Sequence, residues 1–102
     1  MDFLFSDAND FNQDIGGWDV SSVTTMRNMF LDNLGGYVLF NQPIGNWNVS
    51  NVTNMEGMFK RAEYFNQDLS TWDVDNVNYC WLFSDGATSW TLAEPYFDCD
   101  TN

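Results

Sequence analysis

Apolar positions recur along this chain in a fixed order that switches spacing part-way. The stretch Ile15-x-x-Trp18-x-Val20-x-x-Val23-x-x-Met26 shows the switch. The Trp-x-Val step has period two, which predicts a short strand with Trp18 and Val20 on one side and Gly17 and Asp19 on the other. From Val23 the step becomes three, through Met26 to Met29 and Phe30, which suits a helical or 3₁₀ turn. Ser21, and its counterparts Ser50 and Asp75, stand just before that turn and are good helix-start residues. One unit therefore reads as a strand followed by a short helical turn.

The order repeats. Residues 11–30 read FNQDIGGWDVSSVTTMRNMF, residues 40–59 read FNQPIGNWNVSNVTNMEGMF, and residues 65–83 read FNQDLSTWDVDNVNYCWLF. The last copy aligns as one residue shorter, with Phe83 set against Phe59. Trp18, Trp47 and Trp72 are spaced 47 − 18 = 29 and 72 − 47 = 25 residues apart. The longer spacing has a local source: Leu31–Leu39 fills a connection that Lys60–Tyr64 fills later, and it carries the Gly35-Gly36 turn signal. It is expected to bulge without disturbing the register. Met1–Phe5 matches Met55–Phe59, so the chain opens on the end of a unit. Stacked units would bury rows of Trp, Val, Met and Phe, including a row of Trp18, Trp47 and Trp72. The recurring Asn12, Asn41 and Asn66, with Gln13, Gln42 and Gln67, would bridge successive backbone turns, because buried N–H and C=O groups need partners.

The run F-N-Q-D-I-x-x-W-D-V-S-x-V-T-x-M-x-x-M-F resembles the 25-residue repeat of BspA-like leucine-rich-repeat surface proteins. The resemblance covers residues 1–83. It implies a leucine-rich-repeat-like solenoid displayed at a cell surface or extracellularly, associated with adhesion or protein recognition, and it carries no catalytic residue. The expected fold is a short right-handed α/β solenoid with a small parallel sheet. Residues 1–83 would form about three repeats with an incomplete first unit, and residues 84–102 a C-terminal cap or tail.

Composition narrows the chemistry. Three Lys/Arg against fifteen Asp/Glu, with no histidine, give a formal charge of −12 in 102 residues. That balance argues against a nucleic-acid binder, which needs cations for phosphates, and against a basic amphipathic membrane anchor. No apolar run has the length of a membrane span, and Met-Asp-Phe-Leu-Phe lacks the basic start of a secretory leader. Missing histidine removes the commonest general base and metal ligand. The Asp7-x-Asn9-x-x-x-Gln13-Asp14 run lacks the glycine and terminal Glu of a calcium loop and reads as solvated turn acids. No catalytic, cofactor or metal residue is assigned, and an enzyme is not expected.

The expected protein-binding face is the outer side of the sheet: Gly17, Asp19, Asn46, Asn48, Thr71 and Asp73. Arg27, Lys60 and Arg61 fall in the helical region, leaving that face acidic and suited to a basic protein surface. A second candidate is the end formed by Met1, Phe3, Leu4 and Phe5, where association with a partner or a second copy would cover apolar residues. An accessory structural subunit of a larger assembly and a carbohydrate-binding module remain as alternatives. Cys80 and Cys99 are the only cysteines. They are either a disulfide clipping the tail to the last unit or, for Cys80, a buried free thiol.

Overall fold

The computed structural model describes residues 1–35 and 38–102. Its backbone turns back every few residues through i→i+3 hydrogen bonds. In the first full unit the Trp18 N–H donates to the Ile15 carbonyl at 3.1 Å, Val23 to Val20 at 3.0 Å, Met29 to Met26 at 3.3 Å and Leu31 to Asn28 at 3.2 Å. The same closures recur at Ile44–Trp47, Val49–Val52, Met55–Met58 and Gly57–Lys60, and again from Leu69 to Asp85. Among the described residues there is no helix, and strand character is limited to two isolated parallel bridges, Thr25–Asn54 and Asn54–Tyr79. The molecule measures 31 × 30 × 23 Å.

The expected leucine-rich-repeat-like α/β solenoid with a parallel sheet is therefore corrected. The Trp-x-Val step is not a strand. Turns at Ile15–Trp18 and Val20–Val23 bracket it, and no backbone bond joins Trp18–Val20 to Trp47–Val49 among the described residues. The three-residue spacing is not a helix either. It marks a string of turns whose remaining N–H groups reach the next unit.

Those cross-unit bonds hold the fold together. Phe3, Phe5 and Asp7 donate to the carbonyls of Arg27, Met29 and Leu31 at 2.9–3.0 Å. Met26, Asn28, Phe30 and Asp32 donate to Asn54, Glu56, Met58 and Lys60, and Met55, Gly57, Phe59 and Arg61 donate to Tyr79, Trp81, Phe83 and Asp85. Alternate residues bond across while their neighbours close turns, so the N–H groups of these segments are nearly all used. The third residue of these turns takes positive φ: Phe3, Asn28, Gly57 and Leu82 in one row, Asp7, Arg61 and Gly86 in another. Gly57 is also sterically required, since a Cβ there would collide with the Asn28 side chain.

The ladder fixes a register that residue identity obscures. Met1, Met26, Met55 and Cys80 occupy one row, each donating or closing the same turn. Phe83 closes the turn from Cys80 as Met58 does from Met55, so Phe83 corresponds to Met58 rather than Phe59. The third unit has no deletion. Trp90, whose N–H donates to Ala87 as Phe65 does to Ala62, begins a further partial unit.

Side chains fill and bridge these units. Phe30, Phe40, Phe59 and Phe65 are fully buried and stacked with centroids 4.2–6.0 Å apart. Asn12 Oδ1 accepts the Asn41 N–H at 2.8 Å, Asn41 Oδ1 accepts that of Asn66 at 2.9 Å, and Asn66 Oδ1 accepts that of Thr91 at 2.9 Å. Gln42 and Gln67 add bonds to Asn12 and Asn41. Asn12, Asn41, Asn66, Gln42 and Gln67 thus make the bridges between units expected of those rows. Trp47 and Trp72 are each 4% exposed and stack with rings 6.4 Å apart. Their indole N–H groups donate to the carbonyls of Ile15 and Ile44, both at 3.0 Å. Trp18 does not share that burial. It is 43% exposed, because its row ends there.

Phe40 keeps its place between Phe11 and Phe65, so the register survives the Leu31–Leu39 insertion. Leu31, Asp32 and Val38 are buried at its base, while Gly36 and Tyr37 lie outside the described residues. Asp32 is organised by the Leu34, Gly35 and Val38 N–H groups, which donate to its carboxylate. At the other end Trp90 and Phe97 pack on Phe83, and Cys80 is disulfide-bonded to Cys99. No helix is long and apolar enough to cross a membrane among the described residues.

Candidate functional site

Gly17, Asp19, Asn46, Asn48, Thr71 and Asp73 are all exposed. They lie on turns, and most of them brace those turns. Asp19 Oδ1 accepts the Ser21 N–H at 3.0 Å and the Ser21 hydroxyl at 2.6 Å. Asn48 repeats this with Ser50 at 3.1 and 2.7 Å, and Asp73 accepts the Asp75 N–H at 3.1 Å. Asn46 Nδ2 donates to the Gly16 carbonyl and Thr71 Oγ1 to the Gly45 carbonyl, tying neighbouring units together. A Cβ at Gly17 would meet nothing within 4 Å, so that position is open to solvent.

Beside these residues runs a groove of about 610 Å³. Its floor follows from sequence. Gly16 and Gly45 occupy equivalent places, and a Cβ would come 2.7 Å from the Pro43 carbonyl oxygen at the first and 2.8 Å from the Asp68 carbonyl oxygen at the second. Units approach closely there only because both residues lack side chains. Asp14 and Asp68 line it with Asn46 and Leu92, and no Lys or Arg lines it among the described residues. Asp14 Oδ1 accepts the Gly16 N–H at 2.9 Å, and Asp68 Oδ1 accepts the Ser70 N–H at 2.9 Å and its hydroxyl at 2.6 Å. The Ser70 hydroxyl, then the Ser70 N–H, hold the Asp68 carboxyl below its ordinary value of 3.8. Ser21 does the same for Asp19. These two groups stay anionic through the neutral range.

With this geometry in place, residues 1–92 match the family described as Mycoplasma protein of unknown function, DUF285. The chain belongs to that family. No curated protein and no solved structure matches it. Family membership brings no assigned site, so the groove and the turns beside it are read on their own chemistry.

The structure gathers Gly17 and Asn46 at the groove, while Gly16, Gly45 and Asp68 were not among the residues singled out from sequence and Asp14 was read there only as a solvated turn acid. A signal for them exists: Asp14-Ile15-Gly16, Pro43-Ile44-Gly45 and Asp68-Leu69-Ser70 are equivalent triplets with a small third residue. Asp7 serves its turn region by accepting the Asn33 N–H at 2.6 Å. Among the described residues, no three His, Cys, Asp or Glu side chains are grouped to hold a metal ion. The end residues divide. Phe3 and Leu4 are exposed, whereas Phe5 is half-buried, stacking 4.0 Å from Phe11, and the Met1 ammonium donates to the Thr25 carbonyl at 3.0 Å. Cys80 and Cys99 form the disulfide that was one of their two readings.

Proposed function

We propose that this domain is a protein-recognition module of a surface repeat protein, acting by binding rather than turnover, and that it takes an extended basic segment in the groove floored by Gly16 and Gly45. The observation that carries this reading is an open groove lined by Gly16 and Gly45 together with Asp14 and Asp68, with no basic lining residue among the described residues. The net charge of −12 extends the same complementarity to a wider partner surface and steers a basic partner inward. The exposed turn acids Asp19 and Asp73 would rim the contact, each with one carboxylate oxygen occupied by its own turn. Display outside the cell rests on the BspA-like repeat pattern, and the Cys80–Cys99 bond suits an oxidising compartment.

The test is a titration with an extended Lys/Arg-containing peptide at about 0.15 M salt, where the Debye length is near 8 Å, followed by amide NMR. Shifts centred on Gly16, Gly45 and Asn46, weakened several-fold in Asp14→Asn/Asp68→Asn, are expected. An acidic peptide of equal length should leave those amides unmoved. Shifts scattered over the whole acidic surface, or insensitive to the double substitution, would refute the groove as the site.

A further inference from the structure

The outer side of the cross-unit ladder carries two rows of side chains. Met26, Met55 and Cys80 are buried, so the residues that flank them face outward. One outer row is Thr25, Asn54 and Tyr79, joined by the two parallel bridges. The other is Asp2, Arg27, Glu56 and Trp81. There Phe3, Asn28 and Gly57 donate to the carbonyls of Arg27, Glu56 and Trp81, and the Leu82 N–H continues the row to Thr101 at 2.8 Å. The face is aromatic around Trp81: Tyr79 is 62% exposed and Trp81 52%. Glu56 stands one ladder step from Trp81, roughly 4.8 Å between backbones. Among the described residues its carboxylate has no ion pair and accepts no hydrogen bond.

The same row shows what an aromatic and a carboxylate hold together. The Arg27 guanidinium lies 5.4 Å over the Phe3 ring centroid, and its Nε is 3.7 Å from an Asp2 carboxylate oxygen. Arg27 is thereby engaged toward Asp2, and Glu56 and Trp81 repeat the acid and the ring with no cation between them. A chain of net charge −12 draws cations to such a place. Indole is the best of the aromatic faces for a cation. A guanidinium is planar, so it lies flat on the ring while its N–H groups reach a carboxylate edge, which a lysine ammonium does less completely. A neutral sugar would use the rings and leave the Glu56 charge unanswered.

We propose that Trp81, Tyr79 and Glu56 form a binding site for an arginine side chain presented by a partner protein. The guanidinium stacks on the Trp81 indole and donates to the Glu56 carboxylate, and Tyr79 covers the aliphatic stem. None of these residues lines the groove. The site shares with the groove only the positive charge of its partner and stands whether or not the groove binds.

The experiment titrates the full chain with blocked Gly-Arg-Gly, Gly-Lys-Gly and Gly-citrulline-Gly peptides at about 0.15 M salt, followed by NMR. Citrulline keeps the shape of arginine without its charge. The arginine peptide should move the Trp81 indole N–H and the Glu56 amide to saturation, the lysine peptide should bind several-fold more weakly, and the citrulline peptide should leave both signals in place. Glu56→Gln should weaken arginine binding at least about threefold, and Trp81→Ala should abolish the response at Glu56. The unmoved indole signals of Trp47 and Trp72 show that both variants fold. Asp14→Asn/Asp68→Asn should leave the Trp81 response intact, which separates this site from the groove. No saturable response at Trp81, an equal response to citrulline, or arginine binding unaffected by Glu56→Gln would overturn the proposal. So would a neutral glucose oligomer that moves Trp81 as strongly as the arginine peptide, since a sugar would then be the occupant.

Discussion

Trp47→Phe against Trp18→Phe is the sharpest probe of how the units are joined, because one indole sits inside a junction and the other at its open edge. Trp47 is 4% exposed, donates to the Ile15 carbonyl at 3.0 Å and stacks on Trp72. Phenylalanine cannot donate there. The Ile15 carbonyl keeps the Trp18 N–H, so the loss is that of one net hydrogen bond, about 0.5–1.5 kcal/mol, and the smaller ring removes roughly one methylene equivalent of packing, about 0.8 kcal/mol. The expected loss is therefore about 1–2 kcal/mol. Trp18 is 43% exposed and its indole has no acceptor among the described residues, so Trp18→Phe should fall within about 0.5 kcal/mol of the parent, as ordinary surface changes do. A gap of about 1 kcal/mol is roughly fivefold in the folding equilibrium. Urea unfolding followed by far-UV circular dichroism measures it, provided the slopes agree between variants. If Trp18→Phe lost as much as Trp47→Phe, or Trp47→Phe lost under about 0.5 kcal/mol, the indole-to-carbonyl junction would not be a stabilising contact.

Other predictions follow from individual residues. Gly57→Ala should destabilise by about 1–3 kcal/mol, through positive φ and collision with the Asn28 side chain, whereas Gly17→Ala, with open space around it, should stay within about 0.5 kcal/mol in the same urea assay. Cys80→Ser/Cys99→Ser opens a link spanning 19 positions and should cost about 3 kcal/mol; faster exchange of the Leu82 amide would show the tail lifting, and an unchanged amide would contradict its role as a cap. Asp19 has a folded pKa below its ordinary 3.8, so its contribution is present above that value and is lost as the pH falls through the lower folded value. Asp19→Asn keeps the turn that Asn48 already makes with Ser50, and should flatten the acid limb of the stability curve below about pH 3.8; an acid limb unchanged from the parent would remove the Ser21 contact as its cause.

What the sequence disclosed and what it concealed divide along physical lines. The repeats and the bridging Asn-Gln rows were legible because both are written in residue identity at fixed spacing. The sheet and helix were misread because the real motif is a string of turns whose third residue sits at positive φ. Only Gly57 and Gly86 mark those positions with glycine; Asn28 tolerates the same conformation, and Arg61 and Leu82 adopt it with side chains that ordinarily resist it. Periodicity of two and three then imitates a strand and a helix that do not form. Phe83 misled in another way: it looks like Phe59 but closes the turn that Met58 closes. The groove escaped notice because its floor is defined by carbonyl oxygens of neighbouring units approaching Gly16 and Gly45. Trp18 shows the limit of pattern alone, since a residue sharing a row with buried tryptophans is exposed where the row stops.

The register of the cross-unit ladder sets which residues of neighbouring units meet. Scalar couplings transmitted through hydrogen bonds test it directly, in uniformly ¹⁵N,¹³C-labelled protein. Couplings should connect the amide nitrogens of Met55, Gly57, Phe59 and Arg61 to the carbonyl carbons of Tyr79, Trp81, Phe83 and Asp85. Couplings displaced by one residue, as the alignment of Phe83 with Phe59 would demand, or regular i→i+4 couplings along Val23–Phe30, would contradict the account.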